Sequence, residues 1–193
     1  MTIRRFTLPL ALISALAAGC SDPVPPPSQG GVRINYHPSS LPGASACSIG
    51  AHTVGVAQGG AYPSFTSGNP GKRVVDGQDG AEVHCRVSGS SSFAFTGSLN
   101  KDAVSFSTAG RVEKGGTGTG TVAAADPQTA QHAFSPVQSQ QDPQCTFRVN
   151  ENKLEVAGGR IWAAFDCPSV RDTVNFDIQC GLSGEFVLEN CDE

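Results

Sequence analysis

Ala81-Glu82-Val83-His84-Cys85-Arg86-Val87-Ser88 alternates apolar and polar side chains without a break. A period of two puts Val83, Cys85 and Val87 on one face of a β-strand and Glu82, His84 and Arg86 on the other. The same phase recurs at other cysteines: Cys145 aligns with Phe147 and Val149, Cys167 with Ile161, Ala163 and Phe165, and Cys180 with Val174, Phe176 and Ile178. Four sulfurs are therefore expected to point inward. No stretch beyond residue 19 keeps helical apolar spacing over three turns, so the chain is expected to be all-β.

Outward from that stretch, strands are expected to begin at Val32, Ile34 and Tyr36, and then over residues 47–57, 73–75, 81–88, 111–125, 146–149, 153–156, 160–167, 173–180 and 184–191. Phe93, Phe95 and Leu99 share one face, as do Val104 and Phe106, and a turn at Asn100-Lys101-Asp102 makes the two segments an antiparallel hairpin. Asp76-Gly77-Gln78-Asp79-Gly80 carries two Asp-Gly turn signals. About ten short strands with turns every eight to twelve residues suit an antiparallel two-sheet sandwich, with a β-barrel as the alternative.

Cys47, Cys85, Cys145, Cys167, Cys180 and Cys191 are separated by 37, 59, 21, 12 and 10 residues, so no C-x-x-C pair seeds a zinc or redox site. An even number of cysteines in an exported chain points to three disulfides. Six cysteines allow fifteen pairings; Cys180 with Cys191, or Cys145 with Cys167, are the expected local bridges.

Export is read from the other end of the chain. Arg4 and Arg5 precede an almost wholly apolar run, and small residues lead to Cys20, the three-part layout of a signal peptide. The fourteen residues 6–19 include Pro9 and Ser14 and fall short of the about 20 apolar residues a spanning helix needs. Leu16-Ala17-Ala18-Gly19-Cys20 resembles the lipobox of bacterial lipoproteins. That resemblance implies cleavage before Cys20, a diacylglyceryl thioether on its sulfur and a further acyl chain (palmitate) on the new amino terminus, hence a lipid bilayer as partner. Ser21 after the cysteine implies the outer rather than the inner membrane. Residues 20–31, the lipidated cysteine and a proline- and glycine-rich stretch, are expected to be a tether whose eleven residues 21–31 span about 30 Å, and residues 32–193 a single all-β domain.

Without the signal, 11 basic residues face 17 acidic ones, a formal charge of −6. Such a chain has no basic stripe to release counterions, which argues against nucleic acid. The stretches Gly71-Lys72-Arg73-Val74-Val75-Asp76-Gly77, Arg160-Ile161-Trp162-Ala163-Ala164-Phe165-Asp166-Cys167-Pro168 and Gly184-Glu185-Phe186-Val187-Leu188-Glu189-Asn190-Cys191 are similar to those of small, uncharacterised myxobacterial-type lipoproteins with six cysteines. That family brings no known activity.

Chemistry-bearing patterns are sparse. Gly181-Leu182-Ser183-Gly184 lacks the spacing of a G-x-S-x-G elbow and is expected to be a turn; Ser183 and His132 are the nameable nucleophile and base for an envelope hydrolase, the last-ranked reading. His37, His52, His84 and His132 are scattered singly, and the Asp-Gly cluster is a turn before it is a calcium loop, so no metal or cofactor is expected. Trp162 falls on the face opposite Ile161 and Phe165. With Tyr62 it is the candidate ligand contact, and residues 126–144 form a long Gln- and Pro-rich connection. The expected function is that of a non-enzymatic, membrane-anchored envelope domain that binds or displays, its partner an envelope protein or polysaccharide; the alternative is a dedicated carbohydrate or envelope-polymer binding module.

Overall fold

The structure, a computed structural model, describes residues 24–44, 47, 49–125, 133–135, 144–149 and 154–193. Twelve strands lie among them, all paired antiparallel: β1 (Gln29–Pro38), β2 (His52–Val56), β3 (Val74–Val75), β4 (Glu82–Gly89), β5 (Ser92–Lys101), β6 (Val104–Glu113), β7 (Thr117–Ala125), β8 (Ala133–Ser135), β9 (Cys145–Arg148), β10 (Glu155–Ala157), β11 (Arg160–Asp172) and β12 (Gln179–Glu189). They form one sheet in the order β2-β1-β12-β11-β8-β7-β6-β5-β4. β9 also bridges β11 and β7, β10 pairs with β11, and β3 pairs with β1.

This sheet curls into a half-barrel, so that β1, β12 and β11 face β4 to β7 across a core. Phe186 of β12 is the hub: its ring lies 6.0 Å from Phe95, 5.6 Å from Phe106, 6.1 Å from Phe147 and 6.3 Å from Phe165. All five rings are buried. At roughly 1.5–3 kcal/mol for each buried large side chain, contacts of this kind hold the two layers together. The expected all-β, antiparallel, disulfide-linked architecture is present, its two layers drawn from one continuous sheet.

The free edge of β4 is covered by the chain's own last residues. Val87 donates its N–H to Asp192 O at 2.8 Å, Asp192 donates to Cys85 O at 3.0 Å, and Gly159 donates to Val87 O at 3.0 Å. Covering an edge in this way removes a template for aggregation. The Cys85–Cys191 disulfide rivets the same seam.

Three disulfides are formed: Cys47–Cys180, Cys85–Cys191 and Cys145–Cys167. The expected Cys145–Cys167 bridge is among them, whereas a Cys180–Cys191 bridge is not. Cys180 lies at the start of the extended strand β12 and Cys191 just past its end, and eleven steps at about 3.3 Å each set their Cα atoms roughly 36 Å apart. A disulfide needs less than about 7 Å.

Several expected boundaries also move. Residues 173–177 form the bend between β11 and β12, not a strand, and Val174 and Phe176 are exposed at 71% and 63%. Gly181-Leu182-Ser183-Gly184 is the interior of β12, not a turn. A Cβ at Gly184 would sit 1.9 Å from the carbonyl oxygen of Arg33, so the glycine serves close strand approach. Residues 111–125 are split by a turn at Lys114, Gly115 and Gly116 into the ends of β6 and β7. The first strand begins at Gln29 rather than Val32, because Gln29, Gly30 and Gly31 pair with Glu189, Leu188 and Val187. Gly30 is tolerated within a sheet because any Cβ there would meet Val187 O at 2.8 Å and Leu188 Cδ2 at 2.9 Å.

The expected hairpin at residues 100–102 is present, with Lys101 paired to Val104. Its two turn residues, Asp102 and Ala103, both have positive φ, 51° and 66°. Alanine adopts that conformation at a cost of about 1 kcal/mol that glycine avoids. Ala103→Gly should therefore stabilise the domain by about 0.5–1 kcal/mol, read as a higher urea midpoint with unchanged slope.

Candidate binding cleft

Outward-facing residues of β1, β12 and β11 line up in cross-strand rows. Arg33 opposes Glu185, which opposes Ala164; Gly31 opposes Val187, which opposes Trp162, which opposes Glu155 of β10; Gln29 opposes Glu189, which opposes Arg160. Both faces of β12 are covered here, and its sequence Phe186-Val187-Leu188 is apolar at consecutive positions for that reason. The cover is the connection between β2 and β3. Its Pro63 lies over Gly31, its Tyr62 ring over Gly55, and its Phe65 packs on a small cluster of Leu154, Trp162, Ala164 and Val187.

Glu185 fastens that cover. Its carboxylate accepts from the Arg33 guanidinium at 2.6 Å and from the backbone N–H of Phe65, and it is fully buried. Burial raises its pKa, and this outweighs the lowering by the Phe65 N–H and by Arg33. One row further on, Glu189 accepts from Arg73 at 2.7 Å and from the Gln29 amide at 2.8 Å. Arg160 and Glu155 pair at 3.2 Å with both side chains half exposed, an arrangement of little energetic weight.

Between the connection and β10 a cleft of about 500 Å³ remains, its walls including Arg73, Leu154, Glu155, Arg160, Trp162 and Glu189. That volume is in the usual range for a small-ligand site. Two side-chain nitrogens of the lining residues, Nε1 of Trp162 and Nε of Arg73, have no acceptor among the described residues and are buried, closed to solvent. A buried N–H without an acceptor costs on the order of 1–3 kcal/mol. The carboxylates of Glu155 and Glu189, paired with Arg160 and Arg73, line the same cleft, so it sets two ion pairs around an apolar floor.

Trp162 thus lines the cleft, but it is only 7% exposed and cannot serve as an open stacking platform. Tyr62 is half-buried over β2 and does not line the cleft, so the two aromatic candidates are not brought to one site. Ser183 lies mid-strand, paired with Asn35 and Asp166, and lacks the strained turn that exposes a nucleophile. His132 lies outside the described residues, as do Cys20 and most of residues 126–144. Asp76 spends one carboxylate oxygen on the Val83 N–H at 2.9 Å, as a turn residue does. Among the described residues, no group of three or more His, Cys, Asp or Glu side chains is placed to hold a metal.

Arg73, Glu155, Arg160 and Glu189 were not singled out by their sequence spacing. The signal that marks the region is the doubly apolar Phe186-Val187-Leu188, which implies a covering layer but does not say which segment supplies it. No family model matches the chain, and neither a curated protein nor a solved structure does.

Proposed function

We propose that this chain is a lipid-anchored envelope lipoprotein whose β-domain is a non-enzymatic binding module, with an envelope polymer, carbohydrate first, held in the Trp162 cleft. The observation that carries the reading is one cleft of about 500 Å³ whose walls set the Arg73–Glu189 and Arg160–Glu155 pairs beside the apolar Leu154 and Trp162. Hydroxyl-rich polymers offer both donors and acceptors and suit such a wall. A lipid anchor on Cys20, toward the outer membrane, follows from the lipobox resemblance.

Fastening of the tether's last residues supports a membrane-near position for the cleft. Ser28 Oγ donates to Asn190 O at 3.2 Å, Asn190 Nδ2 donates to Pro27 O at 3.0 Å, and Gln29 reaches Glu189 in the cleft wall.

Full-length protein in a non-ionic detergent should be retained on envelope polysaccharide, and Arg73→Ala should weaken binding by about tenfold or more at unchanged circular dichroism. Wild-type protein that passes through unretained, or an Arg73→Ala protein that binds as well, would refute the reading. Mass spectrometry of the native product should show an acylated Cys20; a free Cys20 thiol would remove the anchor.

A further inference from the structure

We infer that residues 58–72 are a flap that opens and closes on the cleft as one body, with the carboxylate of Glu185 as its latch. In assigning that motion to ligand entry and release, the inference rests on the proposal that the cleft binds an envelope polymer.

The segment is bonded mainly to itself. Gln58 donates its N–H to Lys72 O at 3.0 Å and Lys72 donates to Ala61 O at 2.9 Å, so the two ends close on each other. Gly71 permits this closure, because its φ is +76° and a Cβ there would sit 2.3 Å from Ala61 O. At the tip, Ser64 donates to Asn69 O at 2.8 Å, Asn69 donates to Ser64 O at 3.0 Å, and Gly68 donates to Phe65 O at 3.0 Å. Asn69 Oδ1 accepts from the Gly71 N–H at 2.9 Å, the local bond that makes asparagine a turn residue. A surface loop of this length whose ends meet and whose bonds are internal has the build of an Ω-loop.

Its ties to the sheet are few. Among the described residues, the hydrogen bond from the Phe65 N–H to Glu185 is the one that crosses from residues 58–72 to β1, β12 or β11. Within 58–72, Pro63 alone is buried, and the Phe65 ring is half-buried on Leu154, Trp162, Ala164 and Val187. The posts on either side are fixed, since Val56 ends β2 and Val74 begins β3, both in the core. A unit with strong internal bonds and few buried contacts opens at a cost well below that of global unfolding. Gly68 and Pro70 are part of the cleft wall, so lifting the segment widens the cleft and bares the indole face that Phe65 covers.

Native-state hydrogen exchange of the full-length protein in non-ionic detergent tests the motion. The Phe65 amide should exchange about tenfold or more faster than those of Phe95 and Phe106, through an opening that low urea barely promotes, while the Ser64 and Asn69 amides outlast it. Phe65→Ala should raise acrylamide quenching of Trp162, the chain's one tryptophan, about twofold or more, and Val112→Ala, a core change in β6, should not. Retained envelope polysaccharide should leave Phe65→Ala about fivefold or more faster than wild type. A Phe65 amide that exchanges only with global unfolding, or quenching and release unchanged in Phe65→Ala, would overturn the flap. Polysaccharide held through Arg73 without local opening sinks the flap alone. Local opening with no polysaccharide retained upholds the flap and sinks the wider reading.

Discussion

Replacing Cys85 and Cys191 together by serine is expected to lower the unfolding free energy by about 5 kcal/mol. The two residues are separated by 106 positions, and a cross-link closing so long a loop restricts the unfolded chain more than a short one does. The seam adds to this, since the sulfur bridge holds Asp192 against β4 where Val87 and Cys85 exchange backbone hydrogen bonds with it. Cys145–Cys167, with a separation of 22, should cost about 3 kcal/mol when removed the same way. Urea unfolding of the oxidised full chain and of the two double variants gives the comparison. An equal or reversed order of costs would contradict the loop-closure account, and free thiols at these six positions in native protein would contradict the framework itself.

A second large effect is expected at Glu185→Ala, a loss of about 3 kcal/mol. Removing this carboxylate strands the Arg33 guanidinium, itself largely covered, and leaves the Phe65 N–H without its acceptor. Breaking one side of a buried ion pair is costly even where the intact pair adds little, because the surviving charge keeps its desolvation. The cover over β1 and β12 should loosen, so Trp162 fluorescence should become more solvent-exposed in the variant. Burial holds the folded pKa of Glu185 above its ordinary 4.5, which fixes the sign of its pH effect. The folded state binds the proton more tightly than the unfolded state does. Its contribution to stability is fullest below pH about 4.5 and declines as pH rises toward the folded value, then stays flat. Glu185→Gln removes this titration, so wild type minus Glu185→Gln should show that decline in urea unfolding followed from pH 4 to 7. A difference that rises with pH would contradict the burial argument.

Much of the fold was legible because alternation is a local signal. The phase at Val83, Cys85 and Val87, the shared face of Phe93, Phe95 and Leu99, and the hairpin at residues 100–102 each follow from neighbours two residues apart. Where sequence reasoning failed, a long-range partner had overridden local chemistry. Gly181-Leu182-Ser183-Gly184 has turn composition, yet β1 and β11 pair with it on both sides and hold it straight. Gln29-Gly30-Gly31 reads as linker, yet β12 and β3 recruit it. The same rule decided the disulfides: Cys145–Cys167 joins neighbouring strands, while Cys180 and Cys191 are close in sequence but sit at opposite ends of one strand.

The cleft was half visible. Trp162 was a candidate from its outward phase, but its partners come from β3's approach, β10 and the far end of β12, which only the sheet order brings together. Tyr62 had equal standing in the sequence and was drawn to Gly55 instead, because that glycine leaves room for its ring.

The most direct measurement of the account is the indole N–H resonance of Trp162 in a nitrogen-15 correlation spectrum of the full-length protein in detergent, where one tryptophan gives one indole signal. Addition of fragments of envelope polysaccharide should shift that resonance in a saturable way, because Trp162 lines the cleft, and should leave the backbone signals of β4 to β7 in place. An indole resonance that stays fixed while the fragments bind would place the binding site elsewhere and contradict the central claim.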